Sequence, residues 1–189
     1  MQLRSDVQLR SMIRSLQDVV LPALDPGNKP AQEQGQLVLA MLRMMCRQLP
    51  LQYRFDRDEL ARLLDFVRRL QPLLGDGIET SLDEGVDVAA RVLDDARRVD
   101  PEQVHATARA LRAASAAALQ AAFAGADGSR RRQLRDWVLA LSGEQLLRDR
   151  AWVIDQGWEP DSGSVPPIDG LLGLSHDLPD AGPDRTEAR

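Results

Sequence analysis

Between Leu37 and Cys46 the chain is apolar at nine of ten positions, with Arg43 the one interruption. The run is shorter than the ~20 residues of a membrane span. It therefore predicts a helix over 36–49 that other helices bury nearly all round. The polar positions Gln32, Gln36, Arg43 and Arg47 fall on one line of that helix, a narrow wet stripe. Cys46 lies on the apolar side and reads as a structural cysteine.

The same period organises the rest of the chain. Leu9, Met12, Ile13, Leu16, Val19 and Val20 recur at helical spacing, with Arg10, Arg14 and Asp18 opposite, and predict a first helix from Ser5. Pro22 has no N–H and crowds the carbonyl of Asp18, so this helix should kink or stop at Val20–Leu21. A turn over 25–30 follows, with Asn28 placed to cap the second helix, which ends by Leu49 before Pro50. Asp56 with Glu59 has the spacing of a capping box and predicts the start of a third helix. Its apolar face runs through Leu60, Leu63, Leu64, Val67, Leu70 and Leu74 to a stop at Gly75 and Gly77.

Ser81 with Glu84 opens a fourth helix whose seam is Leu82, Val86, Ala89, Leu93 and Ala96. Asp100-Pro101-Glu102-Gln103 is a full start signal for a fifth, running to about Phe123. Twelve of the 21 residues from Ala106 to Ala126 are alanine, so this helix can approach its neighbours closely. Ser129 starts a sixth, carrying Leu134, Trp137, Val138 and Leu141. Ser142-Gly143-Glu144-Gln145 reads as a break that starts a seventh helix, in preference to a kink in one long helix.

No strand pattern and no repeat of fixed period interrupts this series. The expectation is an all-α protein: a six- or seven-helix antiparallel bundle over 1–156, its second helix the most buried, with an extended C-terminal tail over 157–189. The tail holds five prolines and five glycines and no helical period. Trp158, Ile168, Leu171, Leu172 and Leu174 are too many large apolar groups to leave in water. Gly157–Leu174 should therefore lie back on the bundle in extended form, with the later residues loose.

Charge changes this picture only at the C-terminus. The net charge of −5 sits in the tail, which has seven acids and two arginines, and leaves 22 acids against 22 bases in the body. A neutral body lacks the basic face of a nucleic-acid binder. Lys29 is the only lysine beside many arginines, alanines and leucines, a composition typical of a bacterial source. A lone cysteine excludes an intrachain disulfide, and MQLRSDVQLR lacks the apolar region of a signal peptide, which points to the cytoplasm.

Candidate chemistry is sparse. His105, with Glu102 and Arg109 at flanking helical spacings, is the candidate general base, set against an ordinary ion-pair row on a helix face. His176 sits in the tail. No Glu-x-x-His and no Cys/His cluster is present, so no metal site is expected, and no glycine fingerprint implies a cofactor. Met41, Met44 and Met45 are candidates for an adaptable pocket between the second and third helices, holding an acyl or other apolar molecule or a partner helix, against plain core filling. Arg130, Arg131, Arg132 and Arg135 are candidates for contact with an anion or with the acidic tail.

The segment Leu16-Gln17-Asp18-Val19-Val20-Leu21-Pro22-Ala23-Leu24-Asp25-Pro26, with Ala31-Gln32-Glu33-Gln34 after it, resembles the opening of small bacterial all-helical proteins of no assigned function. The resemblance implies helices and carries no catalytic motif. The sequence thus points to a non-catalytic helical interaction or scaffold protein, a homodimer or the binder of another protein. The alternatives are a binding module for an apolar or acyl ligand, and an enzyme using His105.

Overall fold

The computed structural model describes residues 4–75, 77–95 and 100–173. Ala96, Leu174 and His176, which figure in the sequence reading, lie outside the described residues. Helix α1, Ser5–Ser15, continues through a π-helical turn, Leu16–Val20, into a last turn at Leu21–Ala23. Then come α2 (Lys29–Gln48), α3 (Gln52–Leu74), α4 (Asp83–Asp94), α5 (Pro101–Gly125), α6 (Gly128–Trp152) and the short α7 (Ile168–Leu171). No strand occurs among the described residues.

The main core joins α3, α4, α5 and α6. Leu60, Leu63, Val67, Leu70 and Leu74 of α3 meet Val104, Ala108, Leu111 and Ala118 of α5, with Leu82, Ala89, Val92 and Leu134 in the same cluster. A Cβ at Gly85 would stand 3.2 Å from Leu111 Cδ1, so α4 uses the glycine and the alanine-rich face of α5 to sit close. A second cluster forms at the other end of α3. There Phe55 packs against Ala151, Val165 and Ile168, and the Phe55 and Trp152 rings lie 4.3 Å apart.

Helix ends are closed largely by side chains of other helices. Asn28 and Asp100 cap their own helices by accepting from the N–H groups of Ala31 and Glu102. The orphan carbonyls at the C-termini, where the macrodipole is negative, attract arginines. Arg57 Nη2 donates to Leu93 O in the last turn of α4, Arg130 Nε to Leu73 O in α3, and Arg131 Nε to Phe123 O in α5.

Five expectations need correction. The second helix is not the most buried: Leu39 is its only buried residue, while Leu37, Val38, Met41, Met45 and Leu49 are exposed. A helix packs only where it has neighbours, and α2 has α1 on one side and the Ile154–Gln156 turn at its end. Neither hydrophobic cluster contains a residue before Leu51. Asp56 is no N-cap: α3 begins at Gln52, and Asp56 is buried in its second turn, accepting from Gln52 Nε2 at 3.0 Å. Burial pushes the Asp56 carboxyl above its ordinary pKa, against the hydrogen bond from Gln52 and the nearby charge of His105.

Ser142-Gly143 neither breaks nor restarts a helix, since α6 runs unbroken through both. The ~1 kcal/mol that an interior glycine costs relative to alanine is small beside the packing of Leu134 and Ala151 at either end of α6. Pro22 does not end the first helix at Val20. The π turn places the N–H of Leu21 on the carbonyl of Leu16, and the wider ring accommodates the missing donor one residue later.

The segment after α6 is not extended throughout. Two short 3-10 turns, Ile154–Gln156 and Ser162–Ser164, lead into α7. Val165 and Ile168 are buried, Leu171 and Leu172 partly so, and Trp158 stands 72% exposed.

Candidate functional site

Two features of the surface are unlike the rest. The first is the outer face of the α1–α2 hairpin. Nine of the thirteen large apolar side chains left exposed among the described residues precede residue 50, so apolar exposure is concentrated there. On α2, Leu37, Met41, Met45 and Leu49 repeat every four residues and Val38 lies beside them, which makes one continuous stripe along the helix. Met41 is 54% and Met45 49% exposed. No charged residue falls within the stripe.

The polar line of α2 is used inward instead. Gln32 Nε2 donates to Leu24 O, Arg43 Nη2 to Gln17 Oε1 at 2.6 Å, and Arg47 Nη1 to Asp155 Oδ1 at 2.6 Å. Gln48 Nε2 reaches Trp152 O at 2.9 Å. Hydrogen bonds thus fix the hairpin to itself and to the end of α6, and the apolar side is left over.

The second feature is a cleft of about 380 Å³ between α3, α5 and α6. Its floor and walls include Leu63, Phe66, Leu119, Val138 and Leu141. At one end lies Arg148, a residue the sequence reading passed over. It is 1% exposed. Its Nη2 sits 2.8 Å from Asp58 Oδ2 and 3.3 Å from Phe55 O, and its guanidinium stacks on the Phe55 ring at 4.6 Å. Asp58 also accepts from Arg62 Nε at 2.9 Å. Burial lowers the Arg148 pKa from its ordinary value while the Asp58 carboxylate opposes the shift, and the group remains a cation. Arg148 Nε has no hydrogen-bond partner among the described residues. A sequence signal existed: Leu134, Leu141 and Arg148 are spaced by sevens, which puts the arginine on the apolar seam of α6.

The residues singled out from sequence do not converge. His105 is exposed and lines none of the described cavities, and Glu102 faces Arg109 at 3.8 Å. Met41 and Met45 stand exposed, and Met44, half-buried, accepts from Gln156 Nε2 at its sulfur. The three methionines line none of the described cavities. Arg130 and Arg131 close the ends of α3 and α5, and Arg135 pairs with Asp136 at 3.0 Å. The acids and backbone after α6 meet other arginines. Glu159 is gripped by Arg150 through two bonds of 2.8 and 2.7 Å, which hold its carboxyl below the usual pKa, and Leu171 O accepts from Arg62 Nη2.

Among the described residues no group of three His, Cys, Asp or Glu could hold a metal ion, and no helix is long and apolar enough to cross a membrane. No family model matches the chain, and no curated protein or solved structure matches it at a significant level.

Proposed function

We propose that the chain is a non-catalytic helical interaction protein that pairs with a second copy of itself through the outer face of the α1–α2 hairpin. The observation that carries this reading is the uncharged stripe Leu37, Val38, Met41, Met45 and Leu49. A monomer rarely leaves a continuous apolar patch larger than a few hundred Å² in water. Two helices side by side, about 30 Å long and about 20 Å wide, offer a footprint on the order of 600 Å², near the ~800 Å² per partner of a standard interface.

A second copy suits the stripe better than an unlike partner. It carries no charge that would select an oppositely charged surface. Its period of four is also self-complementary: with two α2 helices antiparallel, Leu37 of one protomer faces Leu49 of the other, and Met41 faces Met45. Such an arrangement closes at two subunits as a four-helix bundle with opposed dipoles.

Sedimentation equilibrium in the micromolar range tests it. The wild-type chain should run as a dimer. Met41→Glu with Met45→Glu should run as a monomer with an unchanged far-UV spectrum, since both positions are exposed. A wild-type monomer, or a double variant still dimeric, overturns the proposal.

A further inference from the structure

The cleft between α3, α5 and α6 plays no part in pairing through the hairpin, and it is built differently. Its about 380 Å³ lies at the lower end of the size range of small-molecule sites. Leu63 and Phe66 form an apolar floor, and Leu119 of α5 faces Val138 and Leu141 of α6. Apolar walls left apart in this way forfeit the contacts a packed interior would make, which leaves them something to gain from an occupant.

The charges at its edge say what the occupant carries. Arg62, Arg112 and Arg148 line the cleft, and so do Glu59, Glu144 and Asp149, three of each sign. Every one of the six is engaged. Arg112 crosses to Glu59 at 2.6 Å and Arg62 to Glu144 at 3.3 Å, so two ion pairs strap the helices together around the opening. Asp149 accepts from Gln145 Nε2 at 2.8 Å. Arg148 is buried, stacked on Phe55 and held by Asp58, and its unpartnered Nε is sealed away from the opening. No guanidinium is free to take a carboxylate or phosphate, and no carboxylate is free to take an ammonium. An ionic headgroup here would lose hydration and meet no net field.

We propose that this cleft binds a small uncharged molecule with an apolar body, of the size and polarity of a medium-chain alcohol. Shape and apolar contact provide the affinity, and the balanced rim excludes charged analogues of the same length.

The test is calorimetric titration of the full chain with 1-hexanol, 1-octanol, octanoate and octylammonium at neutral pH. Both alcohols should bind, and octanol should bind roughly sixteen-fold tighter than hexanol, since each buried methylene is worth about four-fold in affinity. Octanoate and octylammonium should bind far more weakly than octanol, since the rim offers neither a free counter-charge. Leu119→Trp and Val138→Trp fill the cleft from opposite walls, and either should abolish binding. Met41→Glu with Met45→Glu should leave it intact, which separates this site from the hairpin surface.

Methyl resonances of the wild-type chain give a readout independent of any variant: octanol should move those of Leu63, Leu119 and Leu141 and leave those of Leu37 and Leu49. The proposal is overturned by absence of octanol binding up to its solubility, or by affinity independent of chain length. It is equally overturned by octanoate or octylammonium binding as tightly as octanol, or by shifts confined to the hairpin.

Discussion

Arg148 Nη2 lies 2.8 Å from Asp58 Oδ2, one of the two charges all but sealed from water and the other shared with Arg62. A buried ion pair is weak evidence of stability as a pair, but breaking it leaves a bare charge behind. Asp58→Asn should therefore destabilise the chain by roughly 3 kcal/mol, the low end for such breaks because Asp58 is partly exposed. Arg148→Met with Asp58→Asn should recover most of that loss, since the unpartnered Nε disappears with the charge. Urea midpoints of the two variants check the order. A single variant as stable as the wild type would show that Arg148 is not left bare when Asp58 loses its charge.

Gly143→Ala should stabilise the chain by about 0.5–1 kcal/mol. Nothing lies within 4 Å of the added Cβ, and glycine in a helix interior costs that much relative to alanine. The expected sign depends on α6 being continuous. A thermal melt in which the variant is less stable would restore a break at this position.

The buried Asp56 carboxyl binds its proton more tightly in the folded chain than in the unfolded one, whose value is near 3.8. Folding stability should therefore be favoured at acid pH by this group and lost as pH rises through the raised folded pKa. Asp56→Asn keeps an acceptor for Gln52 without the charge. It should raise the melting temperature at pH 7 and flatten its decline above pH 4. Glu159, held by Arg150, has the opposite sign, and its contribution is present above about 4.5 and lost as pH falls through its lowered folded value.

Ile168→Ala should cost about 2 kcal/mol, the lower end for removing a buried isoleucine, because its cluster with Phe55, Ala151 and Val165 is small. Trp158→Ala, at a position 72% exposed, should change the melting temperature little. Equal losses in the two variants would mean that the segment after α6 packs otherwise.

Gly35 is where the last turn of α1 presses closely on α2, since a Cβ there would stand 2.5 Å from Leu21 Cδ2. Gly35→Ala should be nearly neutral, as the leucine end can shift and the helix gains up to ~1 kcal/mol. Gly35→Leu cannot be accommodated by that shift. It should free α1, read as faster proteolysis within 5–23 while α3–α6 stay protected.

Much of this architecture was legible residue by residue. Asn28 and Asp100 cap the helices they announce, and the positive-φ Gly75 ends α3. Local chemistry decides such features. What failed was everything set by partners distant in sequence. The run Leu37–Cys46 records how apolar α2 is, but not that only one side of it would find a neighbour. Asp56 has the spacing of a cap, yet Phe55 beside it is drawn into the second cluster and carries it inside the helix. Arg148 draws its meaning from Asp58 on another helix, which no local pattern announces. The basic cluster at Arg130 looked like an anion site because the carbonyls it caps, Leu73 and Phe123, belong to other helices.

The π turn leaves a trace in simple counting. The apolar residues withdrawn from solvent along the first helix and just past its end are Leu9, Ile13, Leu16, Leu21 and Leu24, at intervals of four, three, five and three. An α-helix keeps one face with steps of three and four, and the step of five marks one residue too many. The chain therefore behaves as though a residue had been inserted among Gln17–Val20 and absorbed where it stands. Deleting one of them would restore an unbroken rhythm and leave every inward leucine on its face. It would also put Pro22 into an ordinary turn, with its ring against the carbonyl four residues before it, so the extra residue is what lets a proline sit there at no cost to the helix.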